Sequence, residues 1–439
     1  MRKFWLDCVI ATGFVFLAMW GIFRLTQLTI FNAFDPIGQA LSDVELTDYV
    51  FSDLRDDPDV DQDIVLVNIG EISRRSIAQQ IQIISKYKPK LIGFDSFLDC
   101  ETGLRDTFNC PQLRDTLGNL MLSNAIKEAG NVILVSKVLQ RDTLLDQYEF
   151  DSVRRSDPAF RDYAYGEGFA NLDTEAAFQE DVKTCRAFYP QIGVNNSTEY
   201  AFAIKMALLY DSAKTKAFLQ RGNFKEIINY RGNVVDFFGS TNYPNVFYAL
   251  DVDDVMNENF VSEMIKDKIV IFGFLGEYFG DPNWVDKFYT PLNKKLAGKA
   301  NPDMYGAVVH ANIISMILYE EYVDEMAQWQ EWAMAFLVCL LNVALFSLIN
   351  SNLPLWYDGI TKLLQLIQLI LYSFIMVMVF ALHSFKLEIT ITLAAVALVG
   401  DVFEIYMSVI KNLIFKIKER FSITRKADDV LITETQKKP

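Results

Sequence analysis

Residues 64–95 read IVLVNIGEISRRSIAQQIQIISKYKPKLIGFD, and their periodicity decides the fold. Ile64-Val-Leu-Val-Asn68 is a short β-branched run of the kind that a sheet buries on both faces. Ser73 follows as a helix cap. Ile77, Ile81, Ile84 and Tyr87 then recur at helical spacing, and Pro89 stops the helix soon after Lys86. Lys90-Leu-Ile-Gly-Phe-Asp95 reads as the next strand. Strand, helix and strand make a β-α-β unit, which is right-handed with parallel strands in nearly all folds.

The alternation continues outward. A helix fits Leu117–Ala129, with Gly130 after it and a strand over Asn131–Val135. Later come a helix near Glu199–Tyr210, a strand at Ile227–Tyr230 and a strand at Lys268–Gly273. This pattern predicts a three-layer α/β domain whose sheet is mixed but mostly parallel, with antiparallel strands in its second half. Upstream, Asp57, Asp59 and Asp61 have the opening spacing of a calcium loop, but Gln62 and Asn68 stand where that loop needs Gly and Glu.

Four apolar stretches bracket this domain: Trp5–Phe23 before it, and Trp332–Ile349, Leu363–Leu382 and Ile389–Ile410 after it. Each is close to the ~20 residues that an α-helix needs to cross a bilayer. Arg2 and Lys3 before the first stretch, Lys362 in a short loop, and Lys411, Lys416, Lys418, Arg420, Arg425 and Lys426 near the C-terminus put these ends in the cytoplasm. The expected organisation is an anchor over residues 1–28, an extracytoplasmic domain over 29–331, three spans over 332–412 and a short basic tail over 413–439. The first stretch reads as an anchor, since no small-x-small cleavage site follows it. Tyr319–Glu331 reads as a stalk helix joining the domain to the second span.

Residues 29–331 carry 47 Asp and Glu against 28 Lys and Arg, a net charge of −19. Such a surface argues against nucleic acid and anionic headgroups as partners of the domain and permits a cationic ligand, a divalent ion or a basic protein, the plainer alternative being a solvated, aggregation-resistant surface. Cys100 and Cys110 flank a polar loop in an oxidising compartment, which favours a disulfide between them. Cys8 and Cys339 fall inside apolar stretches, and Cys185 is left over. With two histidines and no Cys-x-x-Cys, neither a metal site nor a cofactor is expected. No Gly-x-Ser-x-Gly elbow or dinucleotide fingerprint is present, so no enzyme is expected either.

Gly306-Ala-Val-Val-His310-Ala-Asn312, together with Ile228-Asn-Tyr-Arg-Gly232, Lys266–Gly273 and Thr290-Pro-Leu292, resembles the second type of CHASE domain. This extracytoplasmic sensory family is associated with cyclases and histidine kinases. Ile64–Ser73, Gly93-Phe-Asp95 and Gly168-Phe-Ala-Asn171 with Asp173 and Arg186 match further pieces in order, over about residues 45–320. Asn68 and Gly70 depart from the acidic strand-turn usual in the family, where Glu71 and Ser73 alone fit. The resemblance implies a bacterial inner-membrane sensor with its large domain in the periplasm and both termini in the cytoplasm. Members usually continue into an effector, whereas about 28 residues follow the last span here, so a separate effector polypeptide is expected.

The candidate ligand residues are Glu71, Ser73, Asp95, Asn171, Asp173, Arg231, Asp281, His310 and Asn312. Asp95 ends a strand where open α/β sheets place ligand groups, and His310 could meet Asp281 or Asp95 across a cleft. The plainer alternatives are a buried histidine bonded to a carboxylate and an aspartate capping a nearby turn. Asp401 and Glu404, three residues apart on the last span, are candidates for coupling to a partner subunit, and Gln365 and Gln368 for bonds between spans. Two function classes result: a sensor subunit signalling to a separate protein, as a possible homo-oligomer, or a structural docking subunit of an envelope complex.

Overall fold

The computed structural model describes residues 2–26, 46–55, 58–99, 110, 114–139, 150–172, 184–234, 246–293, 301–411 and 413. Asp57, Cys100, Asp173 and the tail from 414 onward lie outside them. The chain divides into two compact units, residues 39–323 and residues 1–38 with 324–439.

The first unit is built on a seven-stranded sheet. Its strands are β1 (Ile64–Asn68), β2 (Leu91–Asp95), β3 (Val132–Leu139), β4 (Ser152–Arg154), β5 (Gly166–Phe169), β6 (Tyr248–Leu250) and β7 (Ile269–Gly273). The order is β6-β1-β7-β2-β3-β4, with β5 also on β3. Every pair is parallel except β3 with β4. The antiparallel pairing expected in the second half lies outside this sheet, in short ladders such as Gln191–Val194 with Ser197–Tyr200.

Helices α1 (Arg74–Lys86) and α2 (Thr116–Ala129) form where the apolar spacing calls for them. Ser73 Oγ accepts the Ser76 N–H at the start of α1, and Asp115 caps α2, which ends on Gly130 at φ 70°. Ile77, Ile81, Ile84, Leu122 and Ile126 share one buried cluster with Val65, Val67, Ile92, Phe94, Val270 and Phe272. Alternation along the strands sends their other residues to the opposite face. There α3 (Phe202–Tyr210) lays Phe202 and Met206 over Gly93, and α5 (Gly306–Tyr319) lays Ala307 over Gly273; α4 (Ser212–Leu219) follows α3. A Cβ on Gly273 would lie 2.4 Å from that of Ala307, so the glycine is what allows the helix to touch the strand.

Two expectations are corrected. Of the expected strand at 227–230 only Ile227 is in a ladder, the two-residue strand Glu226–Ile227 pairing with Ala187–Phe188. Beyond it, Asn312 does the work of a neighbouring strand: its Oδ1 accepts the N–H groups of Arg231 (2.7 Å) and Gly232 (3.2 Å), and its Nδ2 donates to Gly232 O (3.0 Å). The stalk helix is absent as well. Glu320 sits at φ 58°, Glu320 N–H bonds Ile317 O and Glu321 N–H bonds Met316 O. This Schellman arrangement closes α5, after which Asp324–Glu325 pairs with Phe385–Lys386. Cys185 is buried and outside any disulfide, whereas Cys110 is buried in the disulfide form; with Cys100 outside the described residues, its pairing stays an expectation.

Among its described residues the second unit holds four helices long and apolar enough to span a membrane: Arg2–Arg24, Gln328–Asn352, Pro354–His383 and Thr390–Ile410. Cys8, Ala11 and Val15 of the first pack with Cys339, Val343 and Phe346 of the second and Ala395, Val399 and Phe403 of the fourth. Polar side chains tie the helices as expected. Gln365 donates to Val396 O (2.7 Å) and Ala397 O (3.0 Å), and Gln368 donates to Asn342 Oδ1 (2.9 Å). Glu331 accepts the Ile391 N–H (3.0 Å), so the second helix caps the fourth.

Replacing Gly273 by alanine should lower the unfolding free energy by about 1–3 kcal/mol, because Ala307 or the strand must give way. Denaturant unfolding of the full chain in detergent measures it. Replacing Asn312 by alanine should cost a similar amount by stranding the Arg231 and Gly232 amides.

Candidate functional site

Asn68, Gly273 and Asp95 are register partners on three adjacent parallel strands, at the carboxyl edge of the sheet. All three fall on the face covered by α5. Each has a different fate. Asn68 is fully engaged: Nδ2 donates to Asp251 Oδ1 (2.9 Å) and Gly276 O (3.0 Å), while Oδ1 accepts Gly70 and Leu275 N–H, both at 2.9 Å. It ties β1 to the segment after β7, which explains why this strand-turn needs no acidic residue. Gly273 admits Ala307. Asp95 has no hydrogen bond or ion pair among the described residues, and burial pushes its carboxyl up to about 7.

Sequence reasoning missed Asp286, which feels the charge of Asp95. Asp286, at φ 59°, accepts the Gly306 N–H through its backbone oxygen at the start of α5. Its carboxyl oxygens lie 3.5 Å from where a Gly306 Cβ would stand. Asp286 is raised to about 7, by burial first and the Asp95 charge second. Water reaches Asp286, so burial weighs less on it than on Asp95. Neither carboxylate has a cation partner among the described residues. A tract of turns with no periodicity, EYFGDPNWVDK over 277–287, gave no signal that could single out Asp286.

Asp281 lies in the same loop but is committed to it. Its oxygens accept Glu277 N–H (3.0 Å) and Asn283 N–H (2.9 Å), which hold its carboxyl below the usual range. Tyr305 is 7% exposed, its hydroxyl has no hydrogen-bond partner, and the Asp281 and Asp286 charges both act on it. Lys287 stands over its ring at 4.8 Å and donates to Asp281 O at 2.7 Å. Tyr278 and Trp284 of this loop are more than half exposed.

Most of the other described candidates are engaged elsewhere in the fold. His310 does not pair with a carboxylate: it is buried against Phe202, ring centroids 5.3 Å apart, and bonds the Ala170 backbone. Burial lowers it to about 4, so it is neutral at pH 7. Arg231 is buried between Glu321 (2.9 Å) and the Tyr319 ring (4.2 Å). Asn171 exchanges both amide bonds with the backbone of Val138 at the end of β3. Ser73 is spent on its cap, and Glu71 is exposed. In the helical unit, Asp401 pairs with Lys362 and Glu404 is exposed. No group of three metal-binding side chains occurs among the described residues.

The family model of the CHASE2 domain matches residues 15–349. The chain belongs to the CHASE2 family. No curated protein and no solved structure matches it. In this CHASE2 chain the row Asn68-Gly273-Asp95, the loop 274–288 and the start of α5 form the candidate site.

The pKa shifts predict a pH dependence. Asp95, Asp286 and Asp303 have folded values near 7 against 3.8 for the free group, and Asp61 and Glu167 are raised too. Raised acids contribute stability that is complete below their unfolded pKa and lost as pH climbs through the folded one. His310 works oppositely, losing its contribution only below about 6.5. Between pH 6.5 and about pH 8 the acids alone count, so the melting temperature should fall as pH rises. Asp286→Asn should flatten that slope, as thermal scans at the two pH values would show.

Proposed function

We propose that this CHASE2 chain is an integral membrane receptor subunit, not an enzyme: its α/β domain binds a ligand outside the cytoplasm and signals to a separate effector protein. The observation that carries the reading is the carboxyl edge of the sheet in a sensory-family domain, where the Asp95 carboxyl has no partner among the described residues and its charge reaches Asp286. Nothing structural uses these two carboxyls, whereas Asn68, Asn171, Arg231 and Asn312 are all consumed by the fold. The basic residues at 2, 3, 362 and 411 support cytoplasmic ends and an inner-membrane location, with the acidic domain in the periplasm. That compartment also supports Cys100 as the partner of Cys110.

The exposed Tyr278, Trp284 and Val285 favour a second reading, in which the same loop docks another subunit of an envelope complex. Two measurements separate these possibilities. Cysteines engineered at positions 200 and 430 should react with an impermeant thiol reagent in intact spheroplasts at 200 and stay silent at 430; the reverse pattern overturns the orientation. Co-purification in mild detergent, followed by mass spectrometry, should recover a signalling protein. Recovery of envelope components that are lost on Trp284→Ala substitution would favour docking instead.

A further inference from the structure

We infer that residues 324–326 form a strap that ties the heads of the second, third and fourth apolar helices together, so that a displacement arriving at residue 324 acts on all three. The inference deepens the receptor reading, on which it rests, by naming the route along which a signal leaves the α/β domain.

Two sets of bonds carry it. Within the α/β unit, residues 318–323 are held along their length. Lys214 donates to Leu318 O, Asn229 Nδ2 donates to Glu321 O (2.9 Å), and Arg231 pairs with Glu321 (2.9 Å). The Tyr322 ring lies against Phe218 and under Arg221, and Arg221 donates to Val323 O (3.2 Å). Within the helical unit the holding resumes at the next residue. Asp324 N–H donates to Ser384 O and Met326 N–H to Lys386 O, both at 3.0 Å, around the parallel pairing of Asp324–Glu325 with Phe385–Lys386. Val323 O and Asp324 N–H belong to one peptide group, which is planar and stiff. The chain thus passes from one set of bonds to the other without a slack residue.

The ladder reaches helices that the covalent chain alone does not. Without it, residue 324 leads only to the second helix, which begins at Gln328. Ser384 ends the third helix, its own N–H bonded to Phe380 O (2.9 Å), and Lys386 leads through Glu388 to the fourth. The Glu331 bond to the Ile391 N–H (3.0 Å) closes the arrangement within the first turn of the second helix. Lys386 also sits 3.3 Å from Glu388 and 3.9 Å from Glu325, but ion pairs to accessible carboxylates contribute little. The backbone bonds are what hold the strap. A side-chain substitution leaves them in place, whereas proline removes a donor.

Hydrogen exchange of the full chain in nanodiscs, read by mass spectrometry, tests this, because amides exchange when their local structure opens. Residues 384–391 should exchange about fivefold faster in Met326→Pro than in the parent, and at the parent rate in Met326→Ala, which keeps the amide. Asp324→Pro deletes the other donor and takes the place of Met326→Pro should that variant fail to fold. Asn312→Ala loosens α5 and should speed exchange over 384–391 about twofold. A Gly-Gly insertion between Val323 and Asp324 should cancel that second effect while residues 306–319 still exchange faster. Parent-like exchange over 384–391 in the proline variants overturns the strap, and so does an Asn312→Ala effect that is absent or survives the insertion. A strap that responds as expected while no signalling protein co-purifies stands, and the receptor reading falls. Co-purification of a signalling protein with unresponsive exchange leaves the receptor reading standing and defeats the strap.

Discussion

The contact of Ala307 with Gly273 organises the α/β domain. A strand residue without a side chain lets the first turn of α5 lie on the sheet, and this brings the start of that helix to the carboxyl edge. Asn68 and Asp95 flank Gly273 in register, so one close approach decides what surrounds both. Asn68 turns the proximity into four hydrogen bonds. The Asp95 carboxyl receives none among the described residues, and its charge reaches Asp286 at the helix start.

Polar residues of the domain therefore divide into those that hold the fold and those left over. Asn312 replaces a missing strand, Arg231 joins Glu321 to the Tyr319 ring, and His310 is kept neutral by burial. These are costly groups to bury, and most of their polar atoms are matched by a named partner, though His310 Nδ1 and Arg231 Nε have none among the described residues. A carboxyl that is surrounded, raised in pKa and without such a partner is a different kind of residue. Such groups concentrate where proteins bind or react.

Much of this was legible in the sequence. The β-α-β unit, α2 and β7 follow from spacing, because a strand buried on both faces leaves a continuous apolar run and an amphipathic helix leaves a periodic one. The four apolar helices follow from length and composition. Asp95 was visible from its place at a strand end. Other features were hidden for physical reasons. Ile228 and Tyr230 are as apolar as strand residues, but their segment is held by a side chain eighty residues away, which local pattern cannot report. The stalk stops being helical because Glu320 takes a left-handed conformation that glycine usually marks. Asp286 lies in a turn, and only the folded chain brings it within reach of the Asp95 charge.

The Glu331 bond to the Ile391 amide bears on how the apolar helices can move. It joins a side chain of the second helix to the head of the fourth. Axial sliding of one along the other would separate this carboxylate from its N–H partner, whereas twisting about the bond leaves both satisfied. Any motion passed through this pair is thereby biased toward rotation over a piston stroke.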